Sequence, residues 1–192
     1  MSDRPTGAAG APLRVWDRGV RGLHWLLGAA VLTAWGSGHW PPQHSFDEVH
    51  HTAGYVAGAV VLARLAWGLW GPGHARFAQF VRGPRATWRY AQQVWRGREA
   101  RHLGHNPLGA WMVVALLLCV AALSLTGALY TTEWLWGYDW LSQLHAALAW
   151  LITLLVPLHL GGVALASWRH RENLVAAMLH GRKRGPAPGD IP

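Results

Sequence analysis

The sequence predicts an all-α membrane protein: a bundle of four transmembrane helices, both termini cytoplasmic, with a short amphipathic helix in the inner loop. Three observations carry the prediction. The 192 residues are 52% hydrophobic and only 14% charged, and Lys and Arg are nearly absent from four long apolar runs yet crowded between them. Tryptophans gather at run ends, as at Trp16, Trp25, Trp40, Trp70, Trp111, Trp134, Trp136, Trp140 and Trp168, where indoles sit at lipid headgroups. Connecting segments alternate in sign: residues 71–104 carry seven arginines against one glutamate, whereas 39–49 and 131–143 hold acids and no Lys or Arg. A net charge of +8 is then the basic face of a membrane protein and needs no nucleic acid.

Residues 1–13 read as a flexible tail, 14–180 as the membrane domain and 181–192 as a basic, Pro/Gly-containing tail. The helices are expected at about 20–40, 50–70, 107–130 and 144–168, each long enough for roughly 30 Å of hydrocarbon. Arg14, Arg18 and Arg21 precede the first run, which is longer than a signal-peptide core and is expected to be retained. A Pro-Pro loop at 39–49 lies outside. After Pro84, Trp88, Ala91 and Trp95 share a helical face while Arg85, Arg89 and Arg96 face elsewhere, as in a helix lying on the inner leaflet. Asn106 and Pro107 form an N-cap and first-turn pair for the third run, which has no internal histidine. Residues 131–143 fit a short interfacial helix. Pro157 should bend the fourth helix.

The candidate site lies in the histidines. His145 and His159 are fourteen residues apart in LHAALAWLITLLVPLHL; on a helix that returns to within about 40° of the starting direction after a rise of roughly 21 Å. Ionisable groups inside a span are costly enough to indicate function, and two axial haem ligands at two depths fit. Histidines simply hydrogen-bonded to neighbouring helices are the plainer alternative. His24 opens the first helix with Gly28 one turn on, leaving room for a flat macrocycle; close helix packing would also use that glycine. At the second helix, His50 shares its face with Gly54, Ala57, Gly58, Val61 and Arg64, whereas His51 shares its face with Tyr55, Leu62 and Leu65, so His50 is the better candidate. Depth pairs His24 with His159 towards the inner side and His50 with His145 towards the outer. The inner pair has a mismatch, since His24 is one turn from Arg21 while His159 is far from Arg169.

Arg64 falls near the depth of His159 and could pair with a haem propionate, or snorkel to the inner headgroups. His105 is a rival inner ligand, or a donor to a propionate. The lone cysteine, Cys119, excludes an intrachain disulfide and a cysteine-rich cluster, and no C-x-x-C-H motif is present. Any haem is therefore b-type.

The chain resembles the bacterial cytochrome b561 family and the related b-type cytochrome subunits of nickel–iron hydrogenases from Arg14 to Arg184. The resemblance rests on VWDRGVRGLHWLL, on H-x-x-x-G-Y at His50–Tyr55 followed by ARLAWGLWGPGHARFAQFVRGP, on GHNPLG at 104–109, and on HRENLVAAMLHGRKR. It implies a four-helix membrane bundle with two b haems and axial histidines at His24, His50, His145 and His159. GHNPLG is a family mark rather than a ligand motif, which leaves His105 unligated. The expected function is electron transfer across the bacterial inner membrane between quinone or quinol and a redox partner, a periplasmic cytochrome c or a hydrogenase-like enzyme, with a homodimer left open. Two other classes compete: a superoxide:quinone oxidoreductase, which would need a basic outer funnel where this chain has acids, and a haem-free, histidine-lined metal transporter.

Overall fold

The structure is a computed structural model that describes residues 11–39 and 47–191; most of the expected N-terminal tail and the Pro-Pro loop lie outside them. The element order is β1 (Leu13–Arg14), α1 (Arg18–His39), α2 (Asp47–Trp70), a 3-10 turn (Gly73–Ala75), α3 (Phe77–Phe80), α4 (Pro84–Trp95), α5 (Pro107–Tyr130), α6 (Asp139–His170), α7 (Leu174–His180) and β2 (Arg182–Lys183).

Local chemistry sets the helix ends. Asp17 caps α1, its Oδ1 accepting from Val20 N at 3.0 Å, and the same oxygen accepts from Trp67 Nε1 at 3.1 Å, which ties the start of α1 to the end of α2. A Cβ on Gly19 would come within 2.7 Å of the Trp67 ring, so this approach needs glycine. Asp47 and Glu48 stand in the first turn of α2, where negative charge suits the helix dipole. Asn106 caps α5 by accepting from Gly109 N at 2.7 Å, with Pro107 following.

Helix α1 packs on α2, α2 on α5 and α5 on α6. The ring closes between α6 and α1 through side chains: Trp35 Nε1 donates to Thr153 Oγ1 at 2.9 Å. Ala30, Ala57, Val61, Leu117, Cys119, Val120 and Ile152 form the core, while Leu32, Leu62, Leu118, Leu125, Leu154 and Leu160 face outward and are exposed. An apolar exterior on this scale marks a surface not meant for water. Among the described residues α2, α5 and α6 are long and apolar enough to cross a membrane. Helix α1, with 22 residues, is nearly as long as α2 and α5 but more polar, carrying Arg18, Arg21, His24 and His39.

Helix α6 runs for 32 residues, Pro157 included, about 48 Å at the usual rise per residue. That length resolves the depth mismatch between His24 and His159. The helix overshoots the start of α1, turns at Arg171 in the left-handed region (φ 49), and α7 doubles back, so that the Arg21 guanidinium donates to Leu179 O.

Two segments differ from expectation. Residues 131–137 form successive turns rather than a helix, ending at Gly137 with φ 80, a conformation that a side chain disfavours. Leu13 and the stretch after Gly181 are built into the fold: β1 pairs antiparallel with β2, and Ile191 exchanges backbone hydrogen bonds with Arg101 O and Leu103 N. Charge explains why this C-terminal strap folds down. Arg101 is 6% exposed and binds Glu172 at 2.7 Å as well as Asp190, while Lys183 lies 3.9 Å from Glu172.

Candidate functional site: two histidine pairs

The end of the bundle carrying the arginine-rich segments is called here the basic end, and the other the acidic end. At the acidic end the rings of His50 (α2) and His145 (α6) face each other with centroids 6.1 Å apart. Each ring is held from behind: His50 Nδ1 bonds Ala34 O of α1 at 2.9 Å, and His145 Nδ1 bonds Thr126 Oγ1 of α5 at 2.9 Å. An Nδ1 hydrogen-bonded in this way leaves Nε2 as the free nitrogen. Between and around the rings is a cavity of about 440 Å³, lined among others by Trp35, Gly54, Tyr55, Ser124, Gly127 and Trp150. His51 also borders it but is exposed, and the ring that faces His145 is His50.

At the basic end His24 (α1) and His159 (α6) have ring centroids 6.4 Å apart. Here His24 Nδ1 is buried without a partner among the described residues. A Cβ on Gly28 or Gly162 would meet nothing within 4 Å, so the helix faces one turn from the two histidines are open. Arg64 is buried at 7% exposure, its guanidinium 5.0 Å over the Phe77 ring and its Nη1 unpartnered among the described residues. That burial argues against snorkelling. Phe77 reaches this position because Gly68 beneath it has no side chain.

The spacing of the pairs tests whether they suit an iron between them. Two imidazoles binding one metal end-on at about 2 Å each, with ring centres about 1.2 Å behind the nitrogens, put the centroids about 6.4 Å apart. Both observed separations fit; His50 and His51 are also 6.1 Å apart, but as chain neighbours on one helix they cannot approach one iron from opposite sides. Among the described residues no three His, Cys, Asp or Glu side chains converge, so the histidines meet two by two, as axial haem ligands do. The cavity and the missing Cβ atoms leave room for a flat group.

A family model for prokaryotic cytochrome b561 matches residues 15–181. The chain belongs to that family. As a member of the cytochrome b561 family it is a membrane helical protein that transfers electrons through haem b. It is 24% identical over 215 aligned positions, covering 89% of this chain and 85% of the relative, to a protein described as a probable Ni/Fe-hydrogenase B-type cytochrome subunit from Azotobacter chroococcum mcd 1. No solved structure matches.

Sequence reasoning missed what orients the rings. Nothing in the chain marks Thr126 as the partner of His145 or the Ala34 carbonyl as the partner of His50, because both contacts cross between helices. The run's two aliphatic hydroxyls, Ser124 and Thr126, were the available signal, and Ser124 instead donates to Gly54 O at 3.2 Å. The aromatic floor of α3 and the buried Lys183 were also missed. Burial pushes Lys183 down to about 8, against the attraction of Glu172.

Proposed function

We propose that the chain is a transmembrane di-haem cytochrome b. His50 and His145 would be the axial ligands at the acidic end and His24 and His159 those at the basic end. The carrying observation is the pair of imidazole separations, 6.1 and 6.4 Å. The arginines of 71–104 and those from Arg169 onward support four spans with both termini in the cytoplasm, which makes the basic end the inner one. Haem would supply one-electron redox chemistry, with two histidines holding each group. The residues then act by placement. The Nδ1 bonds of His50 and His145 fix the ring orientation and raise ligand basicity, the apolar helix faces exclude water, and Arg64 is placed to neutralise a propionate.

Electrons would pass between the quinone pool and a redox protein. The described relative is named as a hydrogenase subunit, which favours a hydrogenase-like partner, while exposed Glu48, Glu133 and Asp139 at the acidic end also suit a basic cytochrome c. The deciding experiment is a pyridine-haemochrome assay with a reduced-minus-oxidised spectrum of the purified protein. Two haem b per chain are expected; one or none defeats the proposal.

A further inference from the structure

All four buried side-chain polar atoms that lack a partner among the described residues, Arg21 Nε, His24 Nδ1, Arg64 Nη1 and His105 Nδ1, lie at the basic end. His24 has a role in the reading above. His105 has none, yet it is enclosed as carefully as a ligand. It stands directly before the α5 cap residue Asn106, with the Trp16 ring 4.7 Å away and the Phe80 ring 4.5 Å away. Phe80 contacts Phe77 at 5.8 Å, and Phe77 underlies the Arg64 guanidinium. One short helix, α3, thus supports both unpartnered groups. A buried polar group left unpaired costs about 1–3 kcal/mol, more when charged, so two in one aromatic enclosure indicate a partner that the described residues do not supply.

We infer that His105 is a second hydrogen-bond donor, beside Arg64, to a propionate carboxylate of the haem held by His24 and His159. The inference rests on the di-haem reading. A carboxylate has two oxygens and about four acceptor sites, enough for an imidazole N–H and a guanidinium together. An anion suits the site because Asp17, the carboxylate that acts on Arg64, has its Oδ1 engaged by Val20 N and Trp67 Nε1, and a buried guanidinium is stabilised by further opposite charge, which a neutral quinone oxygen does not provide. Burial, then Arg64, Lys183, His159 and His74, push His105 down to about 3. The ring is therefore neutral and can donate without adding charge. His105 is a positioning residue: it orients the propionate and does not touch the iron.

The test uses haem labelled with 13C at the propionate carboxyls and redox-difference infrared spectroscopy of the full-length protein. His105→Phe keeps the ring packing and removes the donor, so the labelled carboxylate band should shift and the inner haem potential should fall, since a less neutralised propionate favours ferric iron. His105→Asn places an amide donor near the position of Nδ1 and should restore band and potential towards wild type. An unmoved band and unchanged potential in His105→Phe with both haems bound would overturn the inference. So would equal haem loss in both variants, which would mean packing alone, or an altered quinone affinity with the band unmoved, which would make the acceptor a quinone. If His105→Phe does not fold, a dipolar contact between 15N-histidine Nδ1 of His105 and the 13C-propionate in unmutated protein decides: its presence supports the inference and its absence overturns it. A wild type binding fewer than two haems would instead count against the di-haem reading.

Discussion

At the acidic end, His50 and His145 each use Nδ1 on a neighbouring helix, one on the Ala34 carbonyl and one on the Thr126 hydroxyl. At the basic end, His24 Nδ1 has no partner among the described residues, and the same holds for polar atoms of Arg21, Arg64 and His105 around it. The two pairs are spaced alike and held differently. Protein–protein hydrogen bonds preorganise the acidic-end rings, whereas at the basic end the His24 ring has no such bond at Nδ1 among the described residues. The basic end is braced instead at a distance, by the strap that Arg101, Glu172 and Asp190 clamp to the base of the bundle. One helical spacing thus gives two sites of similar ring separation that differ in interplanar angle, 76° and 50°, and in what holds the rings.

The largest effect should come from removing one ligand at each end. His145→Ala should eliminate the outer haem and keep the inner spectrum, and His159→Ala the reverse, both read by haem content and low-temperature spectra. Retention of both haems in either variant would refute the pairing. Because the acidic-end site is preorganised, the outer haem is expected to survive His159→Ala more completely than the inner survives His145→Ala.

Next in size is the strap. Arg101→Leu leaves Glu172 and Asp190 buried opposite no guanidinium, a change of about 3–5 kcal/mol for a broken buried pair. Denaturation should show that loss, and hydrogen exchange should place it at residues 101–105 and 182–191. The wild-type brace is also acid-sensitive. Burial alone would raise Glu172 and Asp190, but hydrogen bonds from Arg101 and from backbone N–H groups outweigh it and hold both below the usual carboxylate range. Their contribution is therefore present above that range and lost as pH falls through the lowered values. Protection at the strap that persists in acid would show that the ion pairs do not hold it.

Arg64→Gln should make the inner haem harder to reduce and leave the outer one alone. A charge roughly 8 Å away at an effective dielectric of about 20 is worth about 2 kcal/mol, readable in a potentiometric titration. Unchanged potentials would separate Arg64 from the haem. Thr126→Val removes the brace on His145 and should lower the affinity or potential of the outer haem alone, by about 1–2 kcal/mol; an equal effect at both haems would erase the contrast between the ends. Smallest is the surface. Electron exchange with a basic soluble cytochrome should slow as salt rises, since exposed charges are screened within a Debye length of about 10 Å at 0.1 M. A rate indifferent to salt and to Glu133→Gln would point to a fixed membrane partner.

The periodicity of the apolar runs was enough to locate the four long helices and to put His145 and His159 on one face of α6, because a helix imposes its geometry on nearby residues. It also ranked His50 over His51, since small residues and Arg64 follow one and bulky residues the other. Burial of Arg64 could not be read that way: it depends on Phe77 of α3, which reaches it only where Gly68 leaves room. The same limit hid the hydrogen bonds behind the outer rings and the folding of Leu13 and the C-terminal strap onto the base of the bundle. Local spacing decides which residues share a helix face, and this chain states it openly. What each ring leans on, and what each charge is paired with, is decided between segments far apart in sequence, by the length of α6 and the turn that sends α7 back towards α1.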